Sequence, residues 1–351
     1  MLKANVVPTF KRLPTRAFNL GFVQYGGFPK GSIIEISGAE HSGKTLLTTL
    51  TLSDAQRDEP TKQVVYIDAE FLLDVDWHKK MNGLDLDRLY YVRPTLMSGE
   101  QILDMAIEFL KCDDISAVVL DSIPALKPQC VWESDMTEDK GMRATMAKKL
   151  HQALPMIESV IAEKQNTFIM VNQTRDEQIQ CGAKTLTVQK ETCGSACKFY
   201  SDIILRCGKR TFTNGDDMEF KAQGKDEGQD ADGLRIKFKT IKNKTAKIDR
   251  GGGFITYRYA TGIDYIHDMI ETACAFDYLP KAGNYYTLVD FETGEPYKDE
   301  NGKPLRDFKK NIIAYLQSHQ DFALEYLAKF TKEVSGSDKS FGMLIDTSDI
   351  D

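Results

Sequence analysis

The run Gly38-Ala-Glu-His-Ser-Gly-Lys-Thr45 sets glycines at both ends of a short loop and follows the second with a lysine and a hydroxyl. An apolar run precedes it and helical spacing follows it. Glycines let backbone N–H groups turn toward one point, a helix start adds positive potential there, Lys44 brings a mobile cation, and Thr45 brings a hard oxygen. These groups suit phosphate oxygens and a divalent cation, so Gly38, Glu40, Ser42, Gly43, Lys44 and Thr45 are expected to cradle a nucleoside triphosphate, with Thr45 on Mg²⁺. A chance glycine-rich turn is the competing explanation, and it leaves the strand-loop-helix setting unexplained. His41 reads as a surface histidine.

Phosphate chemistry needs more than a cradle. Asp121 ends the apolar run Ala117-Val-Val-Leu120 and is placed to share the metal with Thr45. Asp68-Ala-Glu70 ends another run and offers Glu70 as the base that orients or deprotonates water, with Asp68 structural. Asn172-Gln173 ends a third and offers an amide that can sense the terminal phosphate.

The elements that must position these groups follow from periodicity. Near-continuous apolar runs at 32–37, 64–68, 116–121, 167–172 and 202–206 predict strands covered on both faces. Helical spacing at 44–56, 101–111 and 142–163 alternates with them, and Ser98 with Gln101 forms a capping box. That alternation predicts an α/β fold with a mostly parallel central sheet flanked by helices, its strand ends converging on one crevice. Beyond residue 206 the pattern changes. Leu234-Arg-Ile-Lys-Phe-Lys239 alternates apolar and basic residues, Asn214 to Gly233 reads as a hairpin tip or loop, and a small α+β lobe is expected after a boundary near 262.

Composition bounds the rest. A hydrophobic fraction of 42% and a charged fraction of 28% over 351 residues exclude wholesale disorder and a disulfide scaffold. Seven cysteines without a C-x-x-C pair predict reduced thiols, and Cys181, Cys193, Cys197 and Cys207 lack the paired spacing of a zinc site. No run is long enough to span a membrane and no signal peptide is read, so a cytoplasmic location without membrane contact is expected. The net charge of −7 argues against coating duplex DNA by bulk charge, though local basic stripes remain.

Taken together, Gly38 to Thr45, Tyr66-Ile-Asp-Ala-Glu70 with Asp74, Val119-Leu-Asp-Ser122, Val171-Asn-Gln-Thr-Arg175, Lys198-Phe-Tyr200 and Ile241-Lys-Asn-Lys244 occur in an order and spacing that resemble a bacterial or phage RecA-family DNA recombinase, from about residue 17 to 330. The resemblance implies a RecA-like ATPase core over 17–262, a short N-terminal segment over 1–16 that contacts a neighbouring protomer, a C-terminal lobe over 263–334 and an acidic tail over 335–351. It implies that ATP and Mg²⁺ bind at Lys44, Thr45 and Asp121, that Asp74 and Trp77 meet the adenine, that Glu70 activates water, and that Gln173 couples the γ-phosphate to DNA. Lys242 and Lys244 would reach ATP on the next protomer, and Lys198 and Phe199 would belong to the protomer interface. DNA would meet two loops, about 131–141 leading into Arg143, and about 174–196 with Arg175, Ile179, Lys184, Lys190, Gly194 and Ser195. The implied partners are single-stranded DNA, a homologous duplex, and further copies of the chain in a helical filament.

Three departures from the family pattern are visible: little precedes the core, the second loop is a few residues longer, and Cys193 stands where glycine is usual. Asn5 to Phe10 is the segment that could add a strand to a neighbour. Lys281, Lys298, Lys303, Lys309 and Lys310 either guide duplex DNA or are merely solvated. The alternative function is a RecA-like ATPase that regulates or loads another factor without strand exchange; a small-molecule kinase is a third, without an acceptor pocket to recommend it.

Overall fold

The computed structural model describes residues 11–133, 142–181, 184–192, 195–215, 217–220 and 231–335. The chain divides into two compact units. The first takes in residues up to 13, 28–209 and 238–252, and the second takes in 14–27, 210–237 and the residues from 253 onward. This division differs from a single boundary near residue 262: the second unit draws in two earlier segments as well.

Six parallel strands form the first unit's sheet: β1 (Ile33–Gly38), β2 (Gln63–Asp68), β3 (Leu89–Val92), β4 (Ile115–Asp121), β5 (Thr167–Cys181) and, after the antiparallel partner strand β6 (Lys184–Glu191), β7 (Ile203–Cys207). The order across the sheet is β7-β1-β5-β4-β2-β3, and every neighbouring pair in that path is parallel. The anticipated α/β core is therefore present. β3 was not anticipated, because Leu-Tyr-Tyr-Val at a sheet edge is only partly buried and lacks the continuous apolar character of its neighbours.

Helices cover both faces. α1 (Lys44–Asp58) is buried from Leu46 to Gln56 and packs on β2 and β4. After α2 (Val75–Asn82), α3 (Gly99–Lys111) and α4 (Met142–Lys164) share one apolar layer in which Ile102, Leu103, Ile107, Leu150, Leu154 and Ile157 interdigitate. The capping box is formed: Ser98 Oγ accepts from the Gln101 N–H at 3.3 Å, and the Ser98 N–H donates to Gln101 Oε1 at 2.8 Å. Such layers carry the stability of the sheet, since truncating a buried leucine like Leu154 to alanine costs about 2–5 kcal/mol. A short helix, α5 (Ser195–Tyr200), leads into β7.

The second unit pairs Thr211–Asn214 with both Asp217–Phe220 and the start of the strand Gly233–Asn243. Helix Tyr265–Ala275, a small three-stranded sheet and helices Lys309–Ser318 and Gln320–Ser335 complete it. The rings of Phe18 and Phe330 stack at 5.0 Å in its core. The later half of Gly233–Asn243 belongs to the first unit and lies antiparallel to β7.

Candidate nucleotide and DNA site

β1 stops level with its neighbours. Gly38 pairs with Gln173 of β5 and with Cys207 of β7, while Asp68 pairs with Asp121 one strand further on. The anticipated convergence of strand ends is thus a matter of register. A Cβ at position 38 would lie 2.6 Å from Ser42 Oγ and 2.8 Å from the Cys207 carbonyl oxygen, so glycine alone fits. Gly43 caps α1 with a left-handed φ of 91°. Ser42 Oγ is buried and has no hydrogen-bond partner among the described residues, and Lys44 Nζ folds back to donate to the Ala39 carbonyl at 2.7 Å. Burial lowers the Lys44 pKa, with Cys207, Asp121 and Glu70 opposing. An orphaned hydroxyl and a desolvated lysine turned onto its own loop are donors that phosphate oxygens would engage.

The metal pair is also together. Thr45 Oγ1 donates to Asp121 Oδ2 at 3.3 Å, and the buried Tyr66 hydroxyl donates to the same oxygen at 2.5 Å. Burial pushes the Asp121 carboxyl up to about 6; the Tyr66 hydrogen bond opposes this, and Glu70 and Asp68 reinforce it. A hydroxyl and a carboxylate whose charge is disfavoured by burial make a hard-oxygen pair that Mg²⁺ fits. No cluster of three or more His, Cys, Asp or Glu able to hold a metal occurs among the described residues.

Glu70, the candidate base, accepts two side-chain hydrogen bonds. Gln173 Nε2 donates to Glu70 Oε1 at 3.0 Å, and the Ser122 hydroxyl donates to the same oxygen. Asp68 has the structural role expected of it: its two oxygens accept from the N–H groups of Glu70, Phe71 and Leu73 and from the Tyr91 hydroxyl, which fixes the loop that carries Glu70. Asp74 caps α2 by accepting from the Trp77 N–H at 3.1 Å, so its carboxylate is engaged locally. Glu40 and His41 are exposed on the loop. Tyr66 and Ser122 gained no role from the sequence; polar residues at apolar strand ends, next to candidate ligands, were the available signal.

The segment expected to be a second DNA loop contains two paired strands. Residues 174–196 are not one long loop: β5 runs on to Cys181 and pairs antiparallel with β6. Leu186 and Val188 alternate with polar residues at a period of two, but the strand is otherwise polar, so the stretch reads as a long DNA-binding loop in the sequence. In this ribbon Arg175 is exposed and stands opposite Lys190, Ile179 stands opposite Leu186, and Lys184 opposite Cys181. Ser195 opens α5 and Arg143 lies in the first turn of α4. Gly194, residues 134–141, Asn5 to Phe10 and the tail beyond 335 lie outside the described residues.

The residues expected at a protomer interface lie next to α5. Phe199 is 68% exposed. A bulge between Thr240 and Lys242 resets the strand alternation, and Lys242 Nζ donates to the carbonyls of Lys198 and Phe199 at 2.7 and 3.0 Å. Lys244 Nζ pairs with Asp202 Oδ1 at 2.9 Å. Both lysines therefore hold acceptors in their own protomer.

A family model for the RecA N-terminal domain matches residues 9–264. The chain is 33% identical to Protein RecA of Mesoplasma florum over 273 residues, covering 77% of this chain and 74% of that protein. It is 31% identical to Protein RecA of Aquifex pyrophilus over 336 residues, covering 95% and 86%, and 33% identical to Protein RecA of Fusobacterium nucleatum over 287 residues, covering 81% and 69%. These matches favour a recombinase over a loader or regulator. With this cradle, this base and these relatives, the chain belongs to the RecA family of recombinases, which are DNA-dependent ATPases.

Proposed function

We propose that the chain polymerises on single-stranded DNA with ATP between protomers and carries out pairing and strand exchange with a homologous duplex in the cytoplasm. The observation that carries this reading is Gln173: it bonds the candidate base Glu70, and the DNA ribbon starts at the next residue of the same strand.

Lys44, Ser42 and the loop N–H groups would hold the phosphates, and Thr45 and Asp121 would hold Mg²⁺, which when bound would supply positive charge for phosphoryl transfer. Glu70 takes a proton from the attacking water, with Ser122 and Gln173 fixing its near oxygen. Trp77 and Asp74 face the adenine. Lys242 and Lys244 leave their cis acceptors to stabilise transferring phosphate on the neighbour, so hydrolysis awaits assembly. The ribbon binds phosphates without reading bases. Arg175 and Lys190 occupy one register position of the ribbon, where basic residue types suit a phosphate backbone. Exposed Phe199, and an apolar hollow of about 500 Å³ lined by Phe71, Leu96, Met97 and Trp132, supply surfaces for head-to-tail association. No described helix is long and apolar enough to cross a membrane.

The test is ATP hydrolysis with and without single-stranded DNA for wild type and Glu70→Gln, with filaments imaged in the same samples. DNA-stimulated hydrolysis lost in Glu70→Gln, with ATP-dependent filaments retained, is expected. Hydrolysis indifferent to DNA, without filaments, would overturn the proposal.

A further inference from the structure

Glu35 is wholly buried inside β1, three residues before Gly38, and the phosphate chemistry leaves it unused. A carboxylate in that position is costly unless hydrogen bonds or a paired charge compensate it. Its strong hydrogen bond among the described residues comes from Asn172 Nδ2 at 2.8 Å; Ser201 Oγ stands off at 3.5 Å and gives its proton to the Cys197 carbonyl at 2.7 Å.

Asn172 is a junction. Its Oδ1 accepts from the Gln173 N–H at 2.9 Å and from the Thr192 hydroxyl at 2.8 Å, and the Thr192 N–H donates to the Gln173 carbonyl at 3.1 Å. Thr192 directly follows β6, where the ribbon returns to the core. An asparagine amide can turn end for end, and an acceptor-only carboxylate at position 35 selects the orientation that offers its oxygen to both Gln173 and Thr192.

We propose that Glu35 is a positioning residue that, through Asn172, locks the exit of the DNA ribbon to Gln173, so that DNA on the ribbon governs how Gln173 meets Glu70. The inference rests on the DNA-dependent ATPase reading and deepens it. The charged groups facing Glu35 are Glu191 on β6, Arg206 on β7, which is ion-paired with Glu191, and Lys242 on the strand beside β7. Burial pushes the Glu35 carboxyl up to about 7, Glu191 adds to the rise, and the Asn172 bond opposes it. The junction accordingly loosens as pH falls through neutrality, when the acid gains a proton and ceases to be acceptor-only.

The experiment compares wild type, Glu35→Gln, Thr192→Val and the double variant, reading ATP hydrolysis with and without single-stranded DNA from about pH 6 to about pH 8 and binding of a fluorescent ATP analogue. Glu35→Gln and Thr192→Val are each expected to bind the analogue within about twofold of wild type while losing DNA stimulation roughly fivefold or more, with the double variant no worse than either single one. The wild-type stimulation should decline below about pH 7, and Glu35→Gln should lack that dependence. A Glu35→Gln protein with wild-type stimulation and pH profile would overturn the proposal, as would analogue binding that falls in parallel with the rate, the mark of a packing residue. If wild type itself shows no stimulation, the recombinase reading falls too; stimulated wild type beside an unaltered Glu35→Gln sinks this inference alone.

Discussion

The two halves of β5 live in different surroundings although no break separates them. Residues up to Gln173 pair with β1, those up to Met170 also with β4, whereas Thr174 to Cys181 pair, among the described residues, with β6. The inner half is an apolar run that needs helices on both sides; the outer half is polar and finds its backbone partner in the returning strand. One continuous strand thus joins a polar ribbon to the sheet at the residue that meets Glu70. The difference teaches that this molecule separates its two chemistries by surroundings rather than by a linker.

Four measurements would break or sharpen that contrast. The largest effect is expected from Lys242→Ala with Lys244→Ala: hydrolysis and strand exchange in the assembled state should fall about 10³-fold or more, as removal of a trans-acting cation does, while a lone chain binds ATP normally. Strand exchange surviving in that variant would remove the lysines from the mechanism.

Next comes stability. The folded chain raises the Glu35 pKa from 4.5 to about 7 and therefore binds its proton more tightly than the unfolded chain, so ionisation costs stability as pH rises through that window. Glu35→Gln should gain at most about 3 kcal/mol at pH 8 and nothing below about pH 4.5, read from denaturant midpoints. An outer-half change such as Arg175→Ala should show no such pH-dependent gain, and finding one would blur the two halves.

Gln173→Ala, at the seam, should cut DNA-stimulated hydrolysis by about 10²-fold with DNA affinity retained, as loss of a donor aimed at the reacting centre does. Equal loss of affinity would mean that the seam is itself a DNA contact. The smallest effect is expected from Arg175→Ala, which should weaken single-stranded DNA binding similarly for all sequences and reduce the log–log salt slope by about 0.7, with hydrolysis at saturating DNA unchanged.

The inner half was legible in the sequence and the outer half was not, for one physical reason. Burial on two faces forces the continuous apolar runs that announce β1, β2, β4, the start of β5 and β7, and the loop chemistry between Gly38 and Thr45 depends on local geometry that residue type dictates. A two-stranded ribbon imposes only a two-residue alternation, which the polar residues of 174–191 dilute. β3, an edge strand, hid in the same way. Candidate ligands were readable, since Thr45, Asp121, Glu70 and Gln173 meet as expected. What held them was less so: Tyr66 on Asp121, Ser122 on Glu70 and Glu35 on Asn172 are long-range contacts set by strand order, and strand order has no local signature.

Gly38 carries a last consequence, one for genetics. The Cβ it excludes would collide with the main-chain oxygen of Cys207 as well as with the Ser42 hydroxyl. Exchanging Ser42 removes one obstacle, but every residue at 207 brings the same carbonyl. A Gly38 substitution should therefore have no suppressor among side-chain exchanges at 42 or 207; rescue demands a change that moves the neighbouring strand.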